Sequence, residues 1–404
     1  MADHAVFALR AARVFDGRSL HENYPLVVIE GSRIAAVDTT SARPSGDLAV
    51  RDLGDATLLP GLIDAHVHLA FDADSATKHQ ELGDEDDETI LVRMRRNADQ
   101  QLAAGVTTVR DLGDRRYLGL RLRDEYAGHP SAGPDVVAAG PPITRTGGHC
   151  CFLGGEADGI LAMQAAVRER VGRGADVIKV MATGGATTPG WAPHESQYSL
   201  EELVAATEVA HELGRPITAH AHGPQGIADA VAAGMDGVEH VSFFTADGVE
   251  ADWRVVDAMA DAGTFVGATE AWLPEGPMLA PHLRDRLEKR SANFARMHRQ
   301  GVRLVCCSDA GAGPRKPHGV LPRGVIHFGS IGLTNAEALA SATTVAAQAC
   351  GVADRKGTIA QGYDADLIAV AGNPLQDLEA LLQVREVIRM GRLAHPNARP
   401  ATRR

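Results

Sequence analysis

The stretch GLIDAHVHL, residues 61–69, places His66 and His68 two positions apart in an apolar run. Side chains at positions i and i+2 of a β-strand point to the same side. Both imidazoles can therefore face one interior and hold one metal ion, because zinc accepts imidazole nitrogen. A strand histidine is also often a hydrogen-bonded core residue, so only partners elsewhere in the chain can decide between the two interpretations.

Short apolar runs follow this stretch and alternate with helical segments. In SLEELVAATEVAHEL, residues 199–213, Ser199 and Glu202 have capping-box spacing, and Gly214 follows as a stop signal. Such alternation predicts parallel strands joined by crossover helices. Polar residues stand at the ends of many different strands, as in barrel active sites, and the sequence has no GxGxxG or P-loop of a nucleotide-binding sheet. We therefore predict an α/β fold with a central (β/α)8 TIM-like barrel.

Both ends of the chain are β-prone instead. Short strand-like runs bounded by Gly, Asp, Asn and Pro occupy residues 5–15, 24–37, 364–372 and 384–394. We expect the two ends to combine into a small β-sandwich beside the barrel. The predicted division is residues 1–58 for the N-terminal part of the sandwich, 59–355 for the barrel and 356–404 for the C-terminal part of the sandwich.

The net charge of the chain limits the classes of partner that it can bind. Forty Lys and Arg against 52 Asp and Glu give a formal net charge of −12. That balance argues against a nucleic-acid or anionic-membrane binder, because neutralising phosphates needs a basic surface. The N-terminus lacks a secretory-signal pattern and no apolar run reaches about 18 residues, so we expect a cytoplasmic protein acting on a small molecule or a peptide.

Further polar residues follow the first pair at or near the ends of later apolar runs. They are Lys179, His220, His222, His240 and Asp309. A buried lysine among imidazoles is unusual, because burial disfavours its charged form. The neutral amine can react with carbon dioxide to give an anionic carbamate, which can bridge two metals. Each residue alone has an ordinary structural alternative, such as a solvent-facing lysine or a loop-capping aspartate. The metal hypothesis accounts for all of them together, in strand order.

The motifs resemble the amidohydrolase superfamily. Within it, the chain is similar to the imidazolonepropionase-like branch, which includes Xaa-Pro, Xaa-Arg/Lys and ochratoxin-cleaving peptidases. The resemblance covers about residues 5 to 395 and is carried by LLPGLIDAHVHL, GVTTVRDLG, GADVIKVMATGG, ITAHAHG, GMDGVEH, SDAG and DRKGTIAQGYDADLIAV. It implies a metal-dependent hydrolase of C–N bonds and a homo-oligomer.

The resemblance also implies roles for the individual residues. His66 and His68 would bind a first metal, carboxylated Lys179 would bridge, His220 and His240 would bind a second metal, and Asp309 would contact metal and water. Two divalent ions, expected to be zinc, and a carbon dioxide-derived carbamate are the implied cofactors. Strand spacing treats His220 and His222 equally, so the choice of His220 as ligand comes from the resemblance alone. Several dipeptidases have a tyrosine where this chain has His222, which implies different substrate recognition.

The expected reaction is attack of a metal-bound hydroxide on an amide carbonyl. Asp309 would act first as base and then as acid, while His149 and His222 would stabilise the oxyanion. Arg315 and Lys316 are candidates to bind a substrate carboxylate, although both can equally be loop charges that face solvent, and Trp191 is a candidate to line the pocket.

Four functions remain open from the sequence. Hydrolysis of a dipeptide or an N-acyl amino acid is favoured. Trimming of a modified peptide, of the thiazoline-bearing bottromycin type, is the alternative on the same chemistry. Deamination or hydrolysis of a cyclic amide is the third, but deaminases of the superfamily do not need a lysine on the fourth strand of the barrel, so Lys179 argues against them. A catalytically silent oligomeric interaction protein would be expected to have lost metal ligands, and this chain retains them.

Overall fold

The computed structural model describes residues 6–40, 48–73, 81–186, 188–274 and 281–396, which form an α/β fold. The strands are β1 (Val6–Arg10), β2 (Arg13–Phe15), β3 (Leu20–Glu22), β4 (Leu26–Glu30), β5 (Arg33–Asp38), β6 (Ala49–Asp52), β7 (Ala56–Pro60), β8 (Leu62–Val67), β9 (Val106–Asp111), β10 (Asp135–Ala138), β11 (Ile178–Met181), β12 (Ile217–Ala221), β13 (Gly237–His240), β14 (Phe265–Ala268), β15 (Arg303–Cys306), β16 (Leu367–Ala371), β17 (Val384–Arg389) and β18 (Arg392–Pro396). The helices are α1 (Asp87–Ala103), α2 (Leu118–Gly128), α3 (Gly159–Arg173), α4 (Leu200–Glu212), α5 (Pro224–Ala232), α6 (Trp253–Ala262), α7 (Pro281–Arg299), α8 (Leu321–Ser330), α9 (Asn335–Ser341) and α10 (Thr344–Ala349).

The two ends of the chain supply two sheets, as their β-prone runs predict. One sheet has the order β5-β4-β1-β6, and the other has the order β18-β17-β16-β7-β2-β3. The second sheet joins strands from both ends of the chain, since β16 pairs antiparallel with β7. Apolar side chains from both sheets, among them Leu9, Ile29 and Leu367, belong to one buried cluster. Burial of this cluster is what holds the two ends of the chain together.

The middle of the chain supplies parallel strands, as the alternation of strand and helix predicts. One sheet has the order β10-β9-β8 and the other runs β11-β12-β13-β14-β15, with every neighbouring pair parallel. All six residues of β8 and all six of β9 are buried. Strands covered on both faces are buried along their whole length, so the polar side chains that these two strands carry, such as Asp64 and Arg110, are buried as well.

Isolated bridges link the segments that follow β15 and β10 to β8 and β11. Val67 at the end of β8 bridges Ala310 in parallel, and the Asp309 amide donates to the His66 carbonyl at 2.8 Å. At the other edges Ile143 bridges Val180 of β11, also in parallel. The segment that carries Asp309 is thereby fixed beside the two histidines, although about 240 residues separate them in the sequence.

Local sequence signals set the helix ends. Ser199 and Glu202 form the predicted capping box at the start of α4, and Gly214 adopts φ 68° just beyond its end. The acidic run at residues 84–88 begins α1, where Asp86 caps the helix by accepting from the Thr89 amide at 2.9 Å. None of the described helices has the length and the apolar character needed to cross a membrane.

Candidate metal centre and active site

A cavity of about 400 Å³ lies at the carboxyl ends of the parallel strands. Barrel enzymes place their catalytic residues at this end of the strands. Most of the residues singled out from the sequence line it: His66, His68, His149, Lys179, His220, His222, His240, Asp309 and Arg315. The cavity wall also includes Lys316 and four side chains that sequence reasoning did not select, namely Phe71, Phe244, Trp272 and Arg290.

The first ligand group consists of His66, His68 and Asp309. Nε2 of His66 lies 3.7 Å from Oδ1 of Asp309, and Nε2 of His68 lies 3.4 Å from the same oxygen. One donor atom from each of the three residues falls within 4.8 Å of the others. The His68 ring stacks on Phe71 at 4.7 Å, which limits the orientations open to it. Two imidazoles and a carboxylate are a donor set that zinc accepts.

The second ligand group consists of His220, His222 and His240, whose donor atoms also lie within 4.8 Å of one another. The ring centroids of His220 and His240 are 4.6 Å apart, and those of His222 and His240 are 4.5 Å apart. The structure therefore brings both histidines of the second HxH to one site. His66 connects the two groups, because its ring lies 4.9 Å from that of His240.

Lys179 on β11 lies in the same cavity and is 1% exposed. Among the described residues, its Nζ has no hydrogen-bond partner. Burial lowers the pKa of Lys179 to about 8, although the charges of Glu239 and Asp309 favour the ammonium. A buried amine without a partner is costly unless another group satisfies it.

Glu239 fixes the orientation of His66. Its Oε2 lies 2.9 Å from Nδ1 of His66, and its Oε1 accepts from Arg110 at 2.9 Å and from Thr218 at 2.8 Å. Burial alone would raise the pKa of Glu239, but the charge of Arg110 and the contact with His66 outweigh it and hold the pKa well below its usual range. An ionised Glu239 accepts the Nδ1 proton and leaves Nε2 available as a candidate metal-binding nitrogen. Gly267 makes room for this carboxylate, since a Cβ there would lie 1.9 Å from Oε2.

The backbone at two ligands departs from ordinary strand geometry. His240 has φ 71° and Asp309 has φ 55°, values that are uncommon for residues other than glycine. The turn at His240 explains why Glu239 and His240 both approach His66, although neighbours on a regular strand point to opposite faces. Non-glycine residues in this region cluster at functional sites.

The surroundings of Asp309 favour the ionised form of its carboxylate. Burial by itself would raise its pKa, but the hydrogen bond from His68 and the charges of Lys316 and His66 outweigh burial and hold the pKa well below its usual range. The residue before it, Ser308, is anchored to Asp64: its amide donates to Oδ1 at 3.0 Å and its hydroxyl to Oδ2. The loop that carries Asp309 is therefore tied to the strand that carries His66.

His149 and His222 reach the cavity from loops. The His149 ring lies 4.5 Å from that of His220, and its Nδ1 has no hydrogen-bond partner among the described residues. Gly185 allows this packing, because a Cβ there would lie 2.3 Å from the His149 ring. Nδ1 of His222 lies 2.9 Å from the Ser242 hydroxyl. Burial lowers the pKa of each of these two histidines to about 3, so both are neutral imidazoles at pH 7.

Arg315 and Trp191, which are predicted to contact the substrate, lie in different places relative to the cavity. Arg315 lines the cavity, while its Nε and Nη2 donate to the Leu273 carbonyl at 3.0 and 2.8 Å. Trp191 is half-buried, and its carbonyl packs against Gly184. Within the described part of the chain, the tryptophan that lines the cavity is Trp272 rather than Trp191.

The sequence contains partial signals for the further polar residues of the site. Glu239 is a charged residue inside the short run GVEH, and a buried charge there must be paired. Lys316 follows Arg315 in a loop, where a solvent-facing charge is the ordinary expectation, yet it is buried, and its Nζ donates to the carbonyls of Thr269 and Ser308 at 2.9 and 2.7 Å. Arg290 lies in a strongly charged helix, α7, where the sequence does not set it apart from its neighbours.

The whole chain is similar to several known proteins. The ochratoxinase of Aspergillus niger is 28% identical over 365 residues, covering 82% of this chain and 73% of the relative. A solved Xaa-Pro dipeptidase with bound methionine in the active site matches with a TM-score of 0.83 at 29% identity, covering 96% of this chain and 99% of that chain. A prolidase complexed with N-methylphosphonate-L-proline matches with a TM-score of 0.81 at 27% identity, covering 96% and 99%.

A family model described as the amidohydrolase family matches residues 57–394. The match begins before His66 and ends beyond Asp309, so it contains both ligand groups. The resemblance drawn from the motifs is confirmed: the chain belongs to the amidohydrolase family, and it is a hydrolase that acts on amide or peptide C–N bonds.

Proposed function

We propose that the protein is a metal-dependent amidohydrolase that cleaves the amide bond of a dipeptide or an N-acyl amino acid. The observation that carries the proposal is the buried Nζ of Lys179, which has no partner among the described residues and faces the cavity that both ligand groups share. A carbamate on this nitrogen, together with metal ions, would satisfy a group that is otherwise costly to bury.

The donor set fits two divalent ions. His66, His68 and Asp309 would hold one ion, while His240 and His220 or His222 would hold the other, with carboxylated Lys179 between them. Zinc is the proposed metal, because imidazole nitrogen and carboxylate oxygen are among its preferred ligands. When bound, such ions polarise a carbonyl oxygen and lower the pKa of a water.

The protein's own groups would handle the protons and the developing charge. Asp309, ionised and held between His66 and His68, accepts the proton of the attacking water and returns it to the leaving amine. His149 and His222, neutral and buried, can each donate one N–H to the oxyanion. Cavity walls such as Phe71 and Phe244 keep bulk water away.

The relatives support this substrate class. The similar structures hold methionine in one case and a phosphonate analogue built on proline in the other. A cavity of about 400 Å³ accommodates a molecule of that size. Arg315 is proposed as a rim residue that contacts the substrate, and Trp191, in the loop after β11, as a second residue that contacts it.

A second cavity gives the peptide-trimming alternative a specific basis. It has a volume of about 830 Å³ and shares Trp272, Leu287 and Arg315 with the lining of the first. A substrate longer than a dipeptide could extend from one cavity into the other. Trimming of a modified peptide is therefore the second candidate.

The proposal extends to the architecture. The bridges from Val67 to Ala310 and from Ile143 to Val180 support closure of the eight parallel strands into a barrel. The shared cluster of the two terminal sheets supports a β-sandwich, with divisions near residues 58 and 355. A homo-oligomeric state and a cytoplasmic location belong to the same proposal, and sedimentation analysis checks the former.

The test is a screen of dipeptides and N-acyl amino acids beside a library of modified peptides. The protein is first reconstituted with zinc and bicarbonate. Release of a free amino acid from the small substrates supports the proposal. Cleavage confined to long modified peptides would favour the second candidate, and turnover of neither class would contradict both.

A further inference from the structure

Within the described chain, four cationic side chains line the active-site cavity: Lys179, Arg290, Arg315 and Lys316. Lys179 lies among the proposed metal ligands. The Lys316 ammonium donates to the carbonyls of Thr269 and Ser308, which takes up two of its three N–H donors. Both lysines are therefore held mainly by groups of the site itself.

The guanidinium of Arg315 donates hydrogen bonds to the backbone of a neighbouring loop. Its Nη2 donates to the carbonyls of Leu273 and Pro274 at 2.8 and 3.2 Å, and the Leu273 amide donates back to the Arg315 carbonyl at 2.8 Å. These contacts hold the loop in place and use much of the planar fork that would grip a carboxylate. Arg290 is the remaining cation.

Arg290 lies on α7 and is 4% exposed. Its Nη2 is 2.5 Å from Oε1 of Glu270, while its Nε has no hydrogen-bond partner in the part of the chain that the structure describes. Glu270 is shared, because its Oε2 also accepts from the Ser291 hydroxyl at 2.7 Å and lies 3.2 Å from Nε2 of His327. A guanidinium has five N–H donors, so this ion pair leaves donors of Arg290 for a second anion.

The surroundings of Arg290 favour a negative charge. Its guanidinium carbon lies 5.6 Å from the centre of the Trp272 ring, and Nζ of Lys316 lies 4.0 Å from the same ring. Two cations thus flank one tryptophan on the cavity wall, and Glu270 pairs with one of them. A carboxylate entering beside them would meet a buried positive charge, where charge-assisted hydrogen bonds are strong.

The position of Arg290 is consistent with where the leaving amine forms in the proposed reaction. Lys316 donates to the carbonyl of Ser308, the residue before Asp309, so the wall formed by Trp272 and Arg290 adjoins the side of the cavity that carries Asp309. In the proposed function, Asp309 delivers a proton to the leaving amine. In an amino acid, the carboxylate is separated from that amine by a single carbon.

We propose that Arg290 binds the carboxylate of the amino acid that leaves, and that the enzyme thereby selects substrates with a free carboxyl terminus. This inference rests on the proposed function and names the group that sets its specificity. Bond cleavage itself does not require Arg290, which acts as a substrate-binding residue.

The test compares N-benzoyl-L-alanine with N-benzoyl-L-alaninamide, which differ only in the carboxylate. The zinc-loaded wild-type protein should prefer the acid in kcat/KM by about 100-fold. Arg290→Gln should reduce kcat/KM for the acid by about 10- to 100-fold and change that for the amide less than about twofold. Lys289→Gln, which removes an exposed positive charge from the same helix, should keep the full preference.

Two further variants separate recognition from folding. Arg290→Lys retains the charge without the planar fork and should show an intermediate preference. Glu270→Gln/Arg290→Gln removes both charges, so it leaves no unpaired buried carboxylate, and it should treat acid and amide alike. Equal loss on both substrates in Arg290→Gln, or an unchanged preference, would overturn the inference.

The outcome also distinguishes the inference from the proposed function. If the wild-type protein hydrolyses acid and amide equally well, the proposed function stands and the role of Arg290 is refuted. If it hydrolyses neither, the substrate screen decides the proposed function, and calorimetric binding of the two compounds decides the role of Arg290. Tighter binding of the acid, lost in Arg290→Gln, would support that role, and equal binding would refute it.

Discussion

Nδ1 of His66 lies 2.9 Å from Oε2 of Glu239, and the two residues are 173 positions apart in the sequence. The contact decides which nitrogen of the ring is available in the cavity. With the proton held on Nδ1, Nε2 faces Asp309 at 3.7 Å and is available as a ligand. Glu239 is itself held by Arg110, so the orientation of His66 depends on a buried chain of charges.

Glu239→Gln should weaken metal binding by about 10- to 100-fold, because an amide accepts the Nδ1 proton less strongly than a carboxylate does. Competition with a chelator measures the affinity. Glu208→Gln, at an exposed position of α4, is the matched control and should bind metal as the wild type does. Equal affinity of Glu239→Gln and wild type would show that Glu239 serves only packing.

Lys179→Ala should abolish the bridging ligand. The reason is that a methyl group cannot form a carbamate, so both ions lose a shared ligand. We expect the zinc content to fall to about one ion per chain or less, and kcat/KM to fall by about 100-fold or more. Turnover close to that of the wild type would refute the carbamate role of Lys179.

Asp135 should make folding sensitive to acid through the contacts that join β10 to the chain's C-terminal segment. Its carboxylate lies 3.4 Å from Nζ of Lys356 and 3.6 Å from Nη2 of Arg389. Burial alone would raise the pKa of Asp135, but the charges of Lys356, Arg389 and Arg355 outweigh burial and lower it to about 2. The stabilisation that follows is therefore fully present above the unfolded-state pKa of about 3.9 and is lost as the pH falls towards 2.

Asp135→Asn should accordingly lower the free energy of unfolding at pH 7 by about 2 kcal/mol. Urea unfolding at a series of pH values measures the free energy of unfolding of both proteins. Between pH 4 and pH 2 the wild type should lose stability more steeply than the variant, since the variant has no carboxylate to protonate at this position. Parallel pH profiles for the two proteins would contradict the assignment.

Much of the site could be predicted from the sequence because it follows from strand geometry. His66 and His68 reach one carboxylate as their spacing indicates, and Lys179 on β11, His240 on β13 and Asp309 just beyond β15 follow in the expected order. The capping box of α4 was equally predictable, since it depends on residues three positions apart. Closure of the barrel, the sandwich and the role of each ligand are still predictions.

The rest of the site depends on contacts that no local pattern contains. Glu239 pairs with Arg110 across 129 positions, and Arg290 meets Glu270 through a helix and a strand-end loop. The positive φ of His240 breaks the alternation on which the strand argument relies. Lys316 looks like a loop charge in the sequence, and only tertiary packing against Trp272 shows that it is buried.

The central claim is that His66, His68, Lys179, His220 or His222, His240 and Asp309 hold metal ions. The direct test is the zinc content of the purified protein after reconstitution with zinc and bicarbonate, followed by removal of free metal. The structure leads us to expect about two zinc ions per chain. Fewer than about 0.2 equivalents would contradict the metal centre and the mechanism that depends on it.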